Sequence, residues 1–204
     1  FFYQSLILIF EKNKSVMARA SAGKWIINSK ITLVLLLIPI FSAKAQTLTS
    51  SNLPIVIIST DINPKTSQPY PIVDNPRVLA SMKIIKRPDG SRNFYTDRNT
   101  AEFLNYDGKI SIEIRGSSSQ GLPKKPYGLT TLEADNVTNN NVSLLGMPKE
   151  NDWILNSLAF DPSLVRDYLS YNLSRQMGNY APRTVFCEVI VNNEYKGLYL
   201  LQEK

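Results

Sequence analysis

The chain contains no histidine and a single cysteine among its 204 residues. Without histidine it cannot form a Ser-His-Asp triad or a Cys-His pair. A single cysteine excludes an internal disulfide, and the two shortages together exclude the usual Cys/His zinc sites. The chain therefore lacks the most common nucleophile–base pairs of hydrolases.

The chain also has almost no net charge after residue 45. The formal net charge of +6 comes mainly from residues 1–45, where six Lys/Arg residues stand against one acidic residue. Residues 46–204 hold 17 Lys/Arg and 16 Asp/Glu residues. Because a nucleic-acid-binding domain needs a basic surface, we expect no nucleic-acid partner.

The apolar run at residues 31–41, ITLVLLLIPIF, is too short to cross a bilayer core of ~30 Å as a helix. Lys24 and Lys30 precede it and Ala43-Lys44-Ala45 follows it, the pattern of a secretory signal peptide. We expect residues 17–45 to be a signal peptide cleaved after Ala45, which predicts a secreted or extracytoplasmic location and no stable membrane anchor. An uncleaved anchor is the alternative.

The chain begins with Phe1, and Met17 is the first residue of the expected signal peptide. Residues 1–16 are therefore interpreted as an upstream segment that is not native. At the other end, the chain stops at Lys204 directly after a hydrophobic strand pattern, which favours truncation.

Apolar runs and strict alternation predict most of the chain after residue 52 to be strands and loops. Residues 46–52, QTLTSSN, are polar and are predicted to be a flexible linker. Loops are expected at 61–77, 116–125 and 135–141, and a turn at 88–91. Strands are predicted at 53–59, 78–86, 109–115, 127–132, 185–191 and 195–202, with 92–96 as a return strand after the turn.

One helix is predicted from Asp161, as N-cap, to Met177, with Pro162 in the first helical position and Gly178 after its end. Its apolar residues share one face, which is expected to pack on the sheet: Leu164, Val165, Tyr168, Leu169, Leu173 and Met177. The fold class predicted is α+β, a mostly antiparallel sheet with one packed helix.

The best candidate site is the loop GSSSQGLPKK that follows Arg115. Small side chains allow backbone N–H groups to approach an anion, hydroxyls add donors, and Lys124 and Lys125 add positive charge. The loop is neither a Walker A motif nor the G-x-G-x-x-G of ordinary kinases. Phosphate binding is one interpretation, and a solvated hairpin loop is the other.

Several blocks in order resemble the CotH kinase family over residues 53–204. In that family an Arg-Gly-x-Ser-Ser run precedes a Lys-Lys-x-Tyr strand, as in IEIRGSSSQGLPKKPYGLTT here. The other matching blocks are LGMP at 145–148, NDWIL at 151–155, the helix LVRDYL at 164–169 continuing to Met177-Gly178, and GLYLLQEK at 197–204.

The resemblance implies a divergent protein-kinase-like amino-terminal lobe, incomplete at its carboxyl end. It implies ATP and Mg²⁺ or Mn²⁺ as cofactors, and Ser/Thr phosphorylation of a protein substrate, which for the founding members is a spore coat protein. By the same resemblance Lys125, or else Lys124, pairs with the nucleotide phosphates, and Glu203 lies close to the adenine. The implied nucleotide-binding residues are Arg115, Ser117, Ser118, Ser119, Lys124, Lys125 and Glu203.

The family's catalytic and metal-binding aspartates are expected beyond Lys204, so no catalytic residue and no metal ligand is assigned in this chain. The alternative function is a non-catalytic surface or coat protein that uses the fold for assembly or adhesion. For single residues there is also a plainer interpretation, without a role in binding. In it, Lys124 and Lys125 would be a solvated pair, Trp153 would fill the core beside a turn capped by Asp152, and Cys187 would be buried and inert. The oligomeric state is left open.

Overall fold

The computed structural model describes residues 47–204. The predicted upstream segment 1–16 and signal peptide 17–45 lie outside the described residues. Short 3₁₀ turns occur at Tyr95–Asn99, Ala101–Phe103 and Ser118–Gly121. The strands and the helix, in chain order, are β1 Ser50–Ser51, β2 Ile55–Thr60, β3 Ile62–Asn63, β4 Gln68–Pro69, β5 Val78–Ile85, β6 Asn93–Phe94, β7 Leu104–Ile114, β8 Tyr127–Leu132, β9 Asp152–Asn156, α1 Arg166–Gln176, β10 Thr184–Val191 and β11 Glu194–Glu203.

Seven strands close into a barrel in the order β10-β11-β9-β8-β7-β5-β2. All neighbours are antiparallel except β2 and β10, which run parallel from Ile55 opposite Glu188 to Ile58 opposite Val191. The described part is therefore mostly β with one helix, which agrees with the predicted class in outline. The closure of the sheet into a barrel was not predicted.

Alternating apolar residues fill the barrel interior. In β7, Ile110 and Ile112 are fully buried, as their strict alternation predicted. Trp153 of β9 and Tyr199 of β11 are among the largest buried side chains, and Cys187 of β10 is buried in the same cluster. Because successive side chains of a strand point to opposite faces, Ile154 and Gln202, next to core residues, lie on the outer wall.

Helix α1 begins at Arg166 and not at Asp161, because Leu164 has a left-handed backbone with φ of 60°. The predicted packing face is wrong: Leu169, Leu173 and Met177 are 57%, 59% and 70% exposed. The helix instead meets the barrel through Tyr168, whose ring lies 5.1 Å from that of Phe186 in β10. No residue of α1 is buried.

The amino-terminal segment also differs from expectation. Ser50–Ser51 pairs with Asn93–Phe94, so part of the predicted flexible linker is a strand, and the predicted return strand pairs with it and not with β5. Arg92 stabilises this pairing by donating to Ser50 Oγ at 2.8 Å and to Asn52 Oδ1 at 2.7 Å. Across residues 47–204, no helix has the length and apolarity that crossing a membrane requires.

Candidate functional site

The loop after β7 opens onto a cavity of about 540 Å³ on the outer wall of the barrel. Three parts of the chain surround this cavity: the loop at 115–126, the segment 157–161 that follows β9, and the first turns of α1. The ends of β9 and β11 form its floor through Ile154, Asn156 and Gln202. Residues far apart in sequence thus meet around one concave surface, the usual form of a ligand site.

The loop places Arg115, Gly116, Ser118 and Ser119 on the cavity wall. Arg115 N donates to Pro126 O at 3.1 Å, which closes the base of the loop where β7 leads into β8. Gly116 has φ of 99°, and a Cβ there would collide with Ser119 Oγ. Glycine is therefore required for the turn that presents the serine hydroxyls.

The positive charge of Arg115 is not neutralised locally. Its guanidinium forms no ion pair within residues 47–204. An unpaired guanidinium beside hydroxyl groups can bind a phosphate oxygen through charge-assisted hydrogen bonds.

The helix side of the cavity carries Asp161, Arg166 and Asp167. Asp161 binds its own chain: its carboxylate accepts from Ser163 Oγ at 2.6 Å, from Ser163 N at 3.0 Å and from Arg166 N at 2.8 Å. The Ser163 hydroxyl and then the Arg166 amide lower the pKa of Asp161 to about 2. Asp161 therefore shapes the turn before α1 and accepts from the first helical amide, but Val165 occupies the N-cap position, so the predicted N-cap is wrong.

Asp167 is likewise engaged, since it accepts from Asn156 Nδ2 at 2.7 Å. Arg166 Nε lies 3.4 Å from Asp161 Oδ1, so its charge is partly paired. The two carboxylates of the cavity therefore face their own chain, and of the two arginines that line it only Arg115 has no ion pair within residues 47–204.

The structure separates the predicted site residues into two groups. Arg115, Ser118 and Ser119 line the cavity, whereas Ser117, Lys124, Lys125 and Glu203 do not. This places three of the seven residues together.

Lys124 and Lys125 are occupied elsewhere. Lys124 Nζ donates to Leu198 O and lies 4.6 Å from the centre of the Tyr199 ring, and burial lowers the pKa of Lys124. Lys125 Nζ donates to Gln120 O at 2.5 Å, which braces the loop. Both lysines are partly buried and hydrogen-bonded to carbonyl groups, so the interpretation of Lys124 and Lys125 as a solvated pair is wrong.

Glu203 is buried and bound to Arg183. Its carboxylate accepts from Arg183 N at 3.1 Å and from Arg183 Nη1 at 3.3 Å. Gln202, its neighbour in the chain, is the residue of β11 that lines the cavity.

The residues of the cavity fit a phosphate group but not a metal ion. Within the described part of the chain there is no group of three or more His, Cys, Asp or Glu side chains that could hold a metal. A divalent cation needs several oxygen ligands, and Asp161 and Asp167 are already hydrogen-bonded within the chain.

Sequence reasoning missed the floor and the 157–161 wall. In the sequence β9 shows only the NDWIL block of the family resemblance, and its outward residues Ile154 and Asn156 belong to no functional motif. Their alternation with buried Trp153 and Leu155 was the signal that could have identified them.

A model of the family described as CotH kinase protein matches residues 112–204. The match starts within β7 and includes every residue that lines the cavity. It confirms the resemblance for this carboxyl-terminal part of the chain, while for residues 53–111 the resemblance stays a prediction. No curated protein matches the chain.

Proposed function

We propose that this protein, whose residues 112–204 match the CotH kinase family, binds the phosphates of a nucleotide in the cavity beside Arg115. In the full-length protein this site serves an extracytoplasmic, ATP-dependent kinase that phosphorylates Ser or Thr residues of a protein substrate. The fold then acts as a divergent kinase-like amino-terminal lobe.

One observation carries the proposal: a guanidinium without an ion pair in residues 47–204 and two serines line the same cavity as the start of a helix. Phosphoryl transfer depends mainly on positioning and on neutralising negative charge. Arg115 supplies charge, and Ser118 and Ser119 supply hydroxyl donors beside it. Gly116 gives the loop its close turn, and Lys125 holds the loop through Gln120 O.

Mg²⁺ or Mn²⁺, when bound with ATP, would neutralise charge between the phosphates. The cavity residues bind and orient the nucleotide, and no carboxylate cluster within residues 47–204 is placed to hold the metal. The chain alone is therefore expected to bind nucleotide and not to phosphorylate. Metal-dependent phosphate transfer by the purified chain would contradict this division.

A second candidate function is assembly or adhesion without catalysis. The exposed apolar residues of α1 favour it, because exposed apolar groups can mark a protein–protein surface. It predicts that nucleotide has no effect on the protein, whereas the nucleotide-binding proposal predicts saturable binding.

Calorimetric titration of the chain with tripolyphosphate and with ATP tests the phosphate site. Replacing Arg115→Gln removes the charge and is expected to weaken both ligands roughly 10- to 100-fold, the loss of one hydrogen bond to a charged group. Lys65→Gln, at an exposed position outside the cavity, is the matched control and should change both affinities less than about twofold.

The two variants separate a specific site from general charge attraction. Equal weakening by Arg115→Gln and Lys65→Gln would mean that the net charge alone attracts the ligand. If the wild-type chain binds neither ligand saturably, the proposed phosphate site is refuted.

A further inference from the structure

Another cavity, of about 530 Å³, shares no lining residue with the cavity beside Arg115. Tyr168 of α1 and Phe186 of β10 both line it, and the centres of their rings lie 5.1 Å apart. The other apolar residues of its wall are Leu53, Pro54, Leu145 and Val185. A ligand that enters this cavity therefore meets a mostly apolar surface with an aromatic pair.

The charge of this cavity comes from Lys86. Among residues 47–204, Lys86 is the one charged residue that lines it, and we call it the Lys86 cavity. Lys86 is partly buried and forms no ion pair with another residue of that range. Since salt screens partly buried charges less than exposed ones, the cavity attracts a single negative charge.

Two exposed carboxamides that line the Lys86 cavity leave their donors available. Asn52 Oδ1 accepts from Arg92 Nη1 at 2.7 Å, and Asn105 Oδ1 accepts from Leu145 N at 2.8 Å. The oxygens are thus occupied within the chain, and the NH₂ groups are the part that a ligand can meet. Donors beside a cation favour an anionic acceptor.

A buried hydroxyl without a partner is an independent indication of a ligand. Thr184 is 9% exposed and lines the Lys86 cavity, and its Oγ1 has no hydrogen-bond partner within the described part of the chain. Buried polar groups are nearly always hydrogen-bonded. A hydroxyl can donate to an anion, so an anionic ligand would satisfy Thr184 as well.

We propose that the Lys86 cavity binds a small monoanion with an apolar body, of which an arylalkyl carboxylate is the simplest form. The carboxylate binds Lys86 and the neighbouring donors, and the apolar body packs against Tyr168 and Phe186. A single cation suits one negative charge better than a polyphosphate, and the apolar wall suits an organic body better than an inorganic ion. This site is separate from the proposed nucleotide cavity and does not depend on it.

Proton–nitrogen correlation spectra of the isotope-labelled chain test the site with three probes. Phenylpropionate has both the charge and the body, phenylpropanamide has the same body without the charge, and acetate has the charge without the body. Phenylpropionate should shift the amides of residues 184–186 saturably and leave those of residues 115–121 unchanged. Phenylpropanamide should bind roughly tenfold more weakly, the effect of a hydrogen bond to a charged group. Acetate should give no saturable shift over the same concentrations.

Three variants assign the contacts. Lys86→Gln should lower the affinity for phenylpropionate to that of phenylpropanamide, whereas Lys65→Gln, an exposed position outside the cavity, should change it less than about twofold. Thr184→Val removes the unpartnered hydroxyl at nearly constant shape and should weaken phenylpropionate several-fold.

The wild-type comparison alone can overturn the proposal. Equal affinity for phenylpropionate and phenylpropanamide would refute the role of charge, and the absence of a saturable shift at residues 184–186 would refute the site. Shifts confined to residues 115–121 would mean that the carboxylate binds at Arg115 instead. Equal weakening by Lys86→Gln and Lys65→Gln would mean that net charge alone attracts the ligand.

Discussion

At the scale of single residues, the loop after β7 separates cations that look alike in the sequence. Arg115, Lys124 and Lys125 are all candidates for phosphate binding by type and spacing. In the fold, Lys124 Nζ and Lys125 Nζ donate to carbonyl oxygens, and only Arg115 of the three lines the cavity. The residue types could be predicted from the sequence, but their hydrogen-bond partners depend on strands up to 74 residues away.

Gly116 is predicted to be essential for the shape of this loop. Gly116→Ala introduces a Cβ that meets Ser119 Oγ at a backbone φ of 99°, a conformation that costs a residue with a side chain ~1–3 kcal/mol. We expect tripolyphosphate affinity to fall several-fold in a calorimetric titration.

Gly121→Ala is the matched control, because it lies in the same loop and its added Cβ would meet nothing within 4 Å. It should bind as the wild type does. If Gly116→Ala binds as tightly as Gly121→Ala, the loop does not present the ligand groups in the way described.

Asp161 is predicted to make stability depend on acid pH. Its folded pKa of about 2 lies below the unfolded value of ~3.9, so its contribution is present above pH ~4 and is lost as the pH falls toward 2. Urea midpoints of wild type and Asp161→Ala should therefore differ near neutral pH and converge toward pH ~2.

Ser163→Ala gives a graded check, because it removes the hydroxyl that contributes most to lowering the pKa of Asp161. The loss of stability on acidification should then be smaller and should be complete at a higher pH than in the wild type, because the folded pKa sets its lower end. A difference between wild type and Asp161→Ala that is constant from neutral to acid pH would rule out this role.

At the scale of elements, α1 shows how a helical pattern can mislead. Leu169, Leu173 and Met177 are spaced like a core-facing stripe, yet the structure leaves them exposed. Contact with the barrel is made instead by Tyr168 against Phe186 and by Asp167 with Asn156. The helical spacing of apolar residues indicates an apolar stripe, but it does not determine whether another element packs against that stripe.

Substitutions in α1 and β9 should therefore differ sharply in cost. Leu169→Lys and Leu173→Lys are expected to change the free energy of unfolding by less than ~0.5 kcal/mol, since exposed positions tolerate change. Leu155→Ala, at a fully buried position of β9, is expected to cost ~2–5 kcal/mol. Urea denaturation measures both, and a cost above ~2 kcal/mol at Leu173 would show that the stripe is covered.

The strands were more predictable than the helix. Strands β2, β5, β7, β8, β10 and β11 correspond to predicted runs, because alternating or continuous apolar residues report burial directly. Strand β7 extends further toward the amino terminus than predicted, since Leu104–Gly108 includes polar residues and glycine but pairs with β5. Pairing with a neighbour overrode the weak local propensity there.

At the scale of the whole molecule, the parallel pairing of β2 with β10 closes the barrel. It joins residues 55–58 to residues 188–191, and no local pattern in either strand specifies such a distant partner. Closure could not be predicted for that reason. It matters for the site because it fixes the outer wall on which Ile154 and Gln202 form the cavity floor.

Cys187 offers a probe of this closure. It is fully buried in β10, and burial raises the pKa of its thiol to about 12. Since the thiolate is the reactive form, a thiol reagent at mildly alkaline pH should not label the native protein and should label it fully in guanidinium chloride. As the chain has one cysteine, the labelled fraction reports opening of the barrel. Rapid labelling under native conditions would contradict a closed barrel.

The central claim is that the cavity between the 115–126 loop, the 157–161 segment and α1 binds a nucleotide. Amide hydrogen exchange of the chain with and without ATP, read by peptide, tests it most directly. The account predicts slower exchange at residues 115–121 and 157–167 when ATP is bound, and no change at residues 47–49 and 93–96 beside the separate groove at Tyr95 and Tyr195. Unchanged exchange around the cavity at saturating ATP, or protection confined to that groove, would contradict it.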